Sequence, residues 1–246
     1  MDNSPKTKSE ANGTLHSQLD HGTKPYWFLV CFGLMLPIGL LVAHDDKLTP
    51  PTSMSQTLSS EQKGCSLIVS IEITANKIEY NYTFQNNTPA TVFVFNLPVS
   101  KFLDAGKALV AKEAATVEVL QSRAVIGHKV IPVPPGVFVE IERTPCATRL
   151  FSMNSLKGHG VVDVPLKTQT PYSSFGRKKQ DDPTPKPLQV YFEVGYIVDI
   201  PGTEQMGDLL TTNEGPAWNF SGFSSGSQTI VSVGPFADQV LGIVPQ

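Results

Sequence analysis

The stretch 65–85, "CSLIVSIEITANKIEYNYTFQ", decides the fold because apolar and polar residues alternate along both of its halves. The apolar residues of the first half share one face of a strand: Val69, Ile71 and Ile73. Those of the second half do the same: Ile78, Tyr80, Tyr82 and Phe84. A period of two in strand-favouring residues is typical of half-buried β-structure. A turn cluster, "NNTP", and a third run, "ATVFVFNL", follow, so the segment predicts an antiparallel meander.

Strand-like runs continue to residue 200. They are "TVEVLQ" from Thr116, "AVIGHKVIPV", "GVFVEIER", "ATRLFS", "GVVDVPL" and "LQVYFEVGYIVDI". Residues 107–115 fit either a helix or a strand. We therefore predict a mainly β fold, a single immunoglobulin-like antiparallel β-sandwich over residues 65–200, with a closed barrel as the alternative. The Gly/Ser-rich tail, 201–246, contains two runs, "QTIVSVG" and "QVLGIV", that could add edge strands.

Residues 25–43 contain no charged residue and no histidine, and they predict a transmembrane helix. As a helix they would extend roughly 28 Å, close to the roughly 30 Å of a bilayer core. Tyr26 and Trp27 fall where an aromatic belt meets the headgroups, and Pro37 is tolerated in such helices. The best signal-peptidase site would follow Ala43 and is poor. An uncleaved signal anchor is thus favoured over a cleaved signal or a buried core helix.

The lysines around this segment predict its orientation. Lys6, Lys8 and Lys24 precede it, whereas Lys47 is the near lysine that follows. By the positive-inside rule, residues 1–24 are predicted to be cytoplasmic and residues 44–246 to face outward. The polar composition of residues 1–24 predicts that this tail is disordered. In a bacterium this is an inner-membrane protein with a periplasmic domain. Residues 44–64, rich in Ser, Thr and Pro, are predicted to be a linker.

Two cysteines follow the apolar segment, Cys65 and Cys146. An even pair in an exported domain favours a disulfide bond between them. Two free, buried thiols are the alternative, expected if the domain were cytosolic.

The sequence contains no motif for catalysis, for a cofactor or for a metal. Its net charge of −3 gives no general attraction to nucleic acid. In the outward part, His128 is expected to be exposed on a strand or turn, and His159 to lie in a turn between glycines. The two histidines share no ligand spacing, so each is interpreted as a surface residue.

Three surfaces are candidates for contact with a partner: the polar loop 168–187, the loop 201–227 and an unpaired edge strand. The candidate contact residues of the first loop are Tyr172, Phe175, Arg177, Lys178 and Lys179.

These patterns support two hypotheses of different class. The first is a membrane-tethered, non-catalytic binding or assembly module with a protein partner in the same membrane or in the outward compartment. The second is a membrane-anchored hydrolytic or metal-dependent enzyme whose site is assembled only in three dimensions. A pocket that groups His128 or His159 with carboxylates would favour the enzyme, whereas separate exposure of the two histidines would favour the binding module.

Overall fold

A computed structural model describes residues 53–102, 108–110, 115–133, 139–141, 143–174, 184–220, 227–236 and 240–244. All of them belong to one compact unit, Leu48–Gln246. The described residues form strands almost throughout, and Glu204–Met206 form a 3-10 turn. The mainly β prediction is confirmed.

The strands of the first half of the domain are β1 (Met54–Gln62), β2 (Cys65–Ile73), β3 (Lys77–Asn86), β4 (Val92–Phe102), β5 (Ala108–Val110), β6 (Thr116–Val119), β7 (Arg123–His128) and β8 (Val139–Ile141). Those of the second half are β9 (Thr144–Leu150), β10 (Ser155–Asp163), β11 (Tyr172–Ser174), β12 (Lys186–Val198), β13 (Asp208–Thr212), β14 (Gly215–Asn219), β15 (Thr229–Val233) and β16 (Val240–Gly242).

Two main sheets pack against each other. The first is antiparallel, with the strand order β1-β2-β3-β10. The second is a curled, mixed half-barrel in the order β5-β13-β14-β9-β4-β12-β7-β6. Strands β15 and β16, from the tail after residue 200, both pair with β12. A short third sheet joins β8 to β11.

The prediction of a purely antiparallel sandwich is wrong, because β7 and β12 run parallel, from Gln189 opposite Arg123 to Val194 opposite His128. Parallel strands are usually joined by a crossover helix, but the connection between these two contains strands β8 to β11. The order of the first sheet also differs from the A-B-E-D order of an immunoglobulin sandwich, since its first three strands are consecutive in the chain.

The main core lies between the two sheets and uses the faces that alternation predicts. The core side chains of β2 and β3 are nearly inaccessible to solvent: Leu67, Val69, Ile71, Ile78, Tyr80, Tyr82 and Phe84. Strand β12 supplies the opposite wall with Leu188, Val190, Phe192, Val194 and Tyr196. Two smaller clusters, around Phe93 and around Val99, lie outside this core.

Part of the predicted linker is a strand. Residues 54–62 form β1, an edge strand that pairs along its whole length with β2. Its sequence, "MSQTLSSEQ", is mostly polar, and Leu58 alone of its side chains packs against the main core, so no clear apolar period marks it. Strand β1 forms because β2 offers it a complete backbone ladder, a contribution that local composition does not reveal.

No helix in the described ranges is long and apolar enough to span a membrane. The predicted transmembrane segment 25–43, with Tyr26, Trp27, Pro37 and Ala43, lies outside the described residues, as does the tail 1–24.

One hydrogen bond ties β1 to the far sheet, and we predict that its loss destabilises the domain. The Tyr196 hydroxyl donates to the Gln62 carbonyl oxygen over 2.9 Å. Tyr196→Phe should cost about 1 kcal/mol in the free energy of unfolding, because it removes a part-buried hydrogen bond between the two sheets. Tyr191→Phe, on the same strand but with an exposed hydroxyl, is the matched control and should change stability by less than about 0.5 kcal/mol. Urea unfolding of both variants checks this, and equal midpoints would contradict it.

Candidate functional site

Strand β10, "SLKGHGVVD", forms one edge of the first sheet. The turn expected around His159 is therefore wrong. The two glycines that suggested a turn instead leave room for tyrosine rings of β3. A Cβ on Gly158 would lie 2.4 Å from the Tyr82 ring, and a Cβ on Gly160 would lie 2.2 Å from the Tyr80 hydroxyl oxygen. The core face of β10 is thus covered by tyrosines of the neighbouring strand rather than by its own side chains.

The hydrogen bonds beyond the two ends of β10 fix which of its backbone groups face outward. Asn86 N donates to the Asn154 oxygen over 3.0 Å, and Val164 N donates to the Asn76 oxygen over 2.8 Å. In an antiparallel ladder such bonded positions alternate, so the even-numbered residues of β10 bond to β3. The odd-numbered residues direct their N–H and C=O groups away from the sheet: Ser155, Lys157, His159, Val161 and Asp163. Within the described ranges, no other strand pairs with this edge.

A cleft of about 410 Å³ opens beside this edge, where the two sheets diverge. One side is the edge of β10 itself, from Leu156 to His159, with Tyr82 behind it. The other side comes from the half-barrel: Asn96, Leu97, His128, Thr148, Glu214 and Pro216. The register of β4 shifts between Phe95 and Leu97, and there the Asn96 side-chain oxygen accepts a hydrogen bond from Thr148 N over 3.1 Å.

His128 lies at the inner wall of this cleft and is only 5% exposed, so the expectation of an exposed histidine is wrong. Its ring packs against those of Tyr82 at 5.5 Å and of Tyr80 and Phe192, both at 6.2 Å between centroids. Burial lowers the pKa of His128 to about 4, so the imidazole is neutral at neutral pH. Its backbone belongs to the ladder of β7 and β12, but neither ring nitrogen forms a hydrogen bond to another described residue.

His159 and Glu214 line the same cleft as His128. The structure thus brings together the two histidines and a carboxylate that the sequence leaves unconnected. The side chain of His159 lies on the outer face of β10, the face opposite to Gly158 and Gly160, and is exposed. The described residues include no group of three His, Cys, Asp or Glu side chains placed to hold a metal ion.

No protein-family model, curated protein or solved structure matches this chain. The open edge and the cleft are therefore the features on which a functional argument rests.

Sequence reasoning missed a charged cluster on the opposite face of the half-barrel. Lys129 contacts Glu118 at 2.5 Å and Glu193 at 2.6 Å, and the Ser232 hydroxyl donates to Glu193 over 3.2 Å. Burial opposes the charge of Lys129, but the two carboxylates outweigh it and raise the pKa of its ammonium group. The sequence feature that marks this cluster is a single glutamate inside each of two apolar strands, "TVEV" and "YFEVGY". The partners satisfy one another, so we interpret the cluster as structural.

The predicted disulfide is wrong, since Cys65 and Cys146 are both free and buried. They belong to different sheets: Cys65 Sγ donates to the Asn86 side-chain oxygen over 3.8 Å, whereas Cys146 packs with Val99 and Ala217. Burial raises the pKa of both thiols, that of Cys146 to about 12, which makes them unreactive in the folded protein.

The predicted contact loop is only partly described. Tyr172 lies in β11, which pairs with β8. Phe175, Arg177, Lys178 and Lys179 lie outside the described residues. Much of the second predicted loop, 201–227, forms the hairpin of β13 and β14, whose turn brings Glu214 to the cleft.

The neutral, buried state of His128 predicts a pH dependence of stability. Its pKa is about 4 in the folded state and about 6.5 when unfolded, so the unfolded chain binds the proton first as the pH falls. This contribution to stability is present above pH 6.5 and declines toward pH 4. Between pH 7 and pH 4.5 the wild type should lose about 2.5 kcal/mol more than His128→Phe.

Urea midpoints at the two pH values check this. His159→Ala, which removes an exposed histidine, should retain the wild-type loss. A loss of equal size in His128→Phe would contradict the prediction.

Proposed function

We propose that this chain is a membrane-tethered, outward-facing, non-catalytic binding or assembly module, which captures an extended segment of a protein partner by adding it as a strand to β10. The open edge of β10 carries this proposal. Its outward N–H and C=O groups at Lys157, His159 and Val161 can form backbone hydrogen bonds to an added strand. Strand addition to such an edge is a recurring mode of peptide recognition.

The exposure of the outer face of β10 supports the same conclusion. Lys157, His159 and Asp163 are exposed there, and Val161 is 42% exposed. These side chains leave the edge accessible and give it a mixed charge, so an incoming strand can be selected by the charges it places beside them.

The tether places this edge within reach of other proteins. In the proposed topology residues 25–43 cross the bilayer, and ten residues lie between Ala43 and Met54, a reach of at most about 40 Å. Met54 pairs with Ile73, which lies at the Asp163 end of the sheet. The Ser155 end of β10, beside the cleft, therefore lies a strand length of roughly 30 Å from the point of attachment. In the proposed topology the whole domain lies in the outward compartment, where we expect the partner.

The membrane-anchored enzyme is the second candidate, favoured by the grouping of His128, His159 and Glu214 around one cleft. It is the weaker candidate because His159 is exposed on the outer face and His128 is enclosed by aromatic rings. One equivalent of Zn²⁺ bound by the wild type and lost in both His128→Phe and His159→Ala would favour the enzyme.

Blocking the open edge should abolish capture without unfolding the domain. Lys157 N–H points outward, so Lys157→Pro removes no bond to β3 and fits an edge position. With a photoreactive residue at Ser155 in intact membranes, the crosslinked adduct should fall at least about tenfold in Lys157→Pro, since strand addition is lost.

Lys157→Ala keeps the N–H and is the matched control, with capture expected within about twofold of wild type. A photoreactive residue at Glu72, exposed on β2 away from the edge, should give no such adduct. An adduct at Ser155 that survives Lys157→Pro would overturn strand capture.

The proposed topology is tested with reporter enzymes fused at residue 50 and at the C-terminus. A reporter that works only after export should be active at both positions, and the chain should stay in the membrane through a carbonate wash. Activity at the C-terminus only from a reporter that works in the cytoplasm would overturn the topology.

A further inference from the structure

We propose that the cleft beside β10 accepts a phenolic side chain, a tyrosine of the captured segment, whose hydroxyl group hydrogen-bonds to His128. This inference rests on the proposed capture of a strand by β10 and adds the contact that would select the segment.

The first support is the state of His128. It is a polar side chain that is 5% exposed, lines the cleft and forms no hydrogen bond to a described residue. Its ring nitrogens are not among the fully enclosed atoms that lack a partner, so they are accessible from the cleft, where a ligand can pair with them. A neutral imidazole offers one donor and one acceptor, which a hydroxyl group can match in either sense.

The second support is the path from the open edge to this histidine. Neighbouring residues on paired strands place their side chains on the same face of a sheet. A residue of the added strand beside Gly158 would therefore direct its side chain toward the cleft. The Tyr82 ring covers the core face of Gly158 and contacts the His128 ring, with 5.5 Å between the ring centroids, so an incoming side chain would pack along Tyr82 toward His128.

The chemistry of the walls selects the class of side chain. Tyr82, Leu97 and Leu156 give the cleft aromatic and aliphatic surface, and His128 is the polar group at its inner wall. Glu214 adds a carboxylate to the lining of the cleft. An aliphatic side chain would leave His128 unpaired, and a carboxylate would lose its hydration beside a neutral ring. A phenol combines an apolar body with one uncharged polar tip.

The volume is adequate for this ligand. A cleft of about 410 Å³ lies within the roughly 300–1,000 Å³ of small-molecule sites and exceeds the size of one aromatic side chain.

The test uses p-cresol as the probe, toluene as the matched control without a hydroxyl group, and p-toluate as the charged control, each added to the full chain. NMR of the His128 imidazole nitrogens follows binding. We expect p-cresol to shift these resonances and to bind about 3- to 10-fold more tightly than toluene, the worth of one hydrogen bond. In His128→Phe this preference should disappear, while Tyr191→Phe, a substitution away from the cleft, should retain it.

Equal affinity for p-cresol and toluene in the wild type would overturn the inference, and that comparison does not depend on whether a variant folds. Tighter binding of p-toluate than of p-cresol would also overturn it.

The same measurements separate this inference from the proposed function. Val161→Pro, which removes an outward N–H of β10 at a residue that does not line the cleft, should abolish capture and leave p-cresol binding unchanged. If p-cresol binds as expected but Lys157→Pro still captures the partner, strand capture fails. If Lys157→Pro abolishes capture but p-cresol is not preferred over toluene, the tyrosine contact fails and strand capture stands.

Discussion

The rings of Tyr80 and Tyr82 pack between two surfaces, and the candidate site depends on that packing. On one side lie the backbone atoms of Gly158 and Gly160, and on the other lie Phe192 and His128 of the half-barrel. These contacts hold β10 in the first sheet although it has a neighbour on one side only. They also enclose His128 and lower its pKa. The open edge and the neutral histidine thus follow from one packing arrangement.

Consecutive residues at the end of β7 show how the half-barrel separates two environments. His128 faces the aromatic core and the cleft, whereas Lys129 faces the opposite side and pairs with Glu118 and Glu193. The charge of Lys129 is compensated by these two glutamates. The imidazole on the other face lacks a hydrogen-bonding partner among the described residues, which is why the cleft, and not the charged cluster, is the candidate for binding.

The sequence predicted the parts of this structure that local pattern determines, and it missed those that depend on distant partners. Alternation in residues 65–85 predicted two strands and their buried faces correctly. Strand β1 was missed because its polar residues form a strand only when β2 pairs with it. Gly158 and Gly160 suggested a turn because the tyrosines that cover them come from another strand. The cysteine count favoured a bond, but the two thiols belong to different sheets. The cleft could not be predicted, because its walls come from six strands and one turn.

Hydrogen exchange along β10 tests the central claim, an open edge on a folded sheet, most directly. Amide exchange rates in the free protein should alternate: the amides of Lys157, His159 and Val161 should exchange on the order of 100-fold faster than those of Leu156, Gly158, Gly160 and Val162. When a partner segment is bound, the fast amides should become slow. Uniformly slow exchange along β10 in the free protein would contradict the account, because the edge would then already be paired.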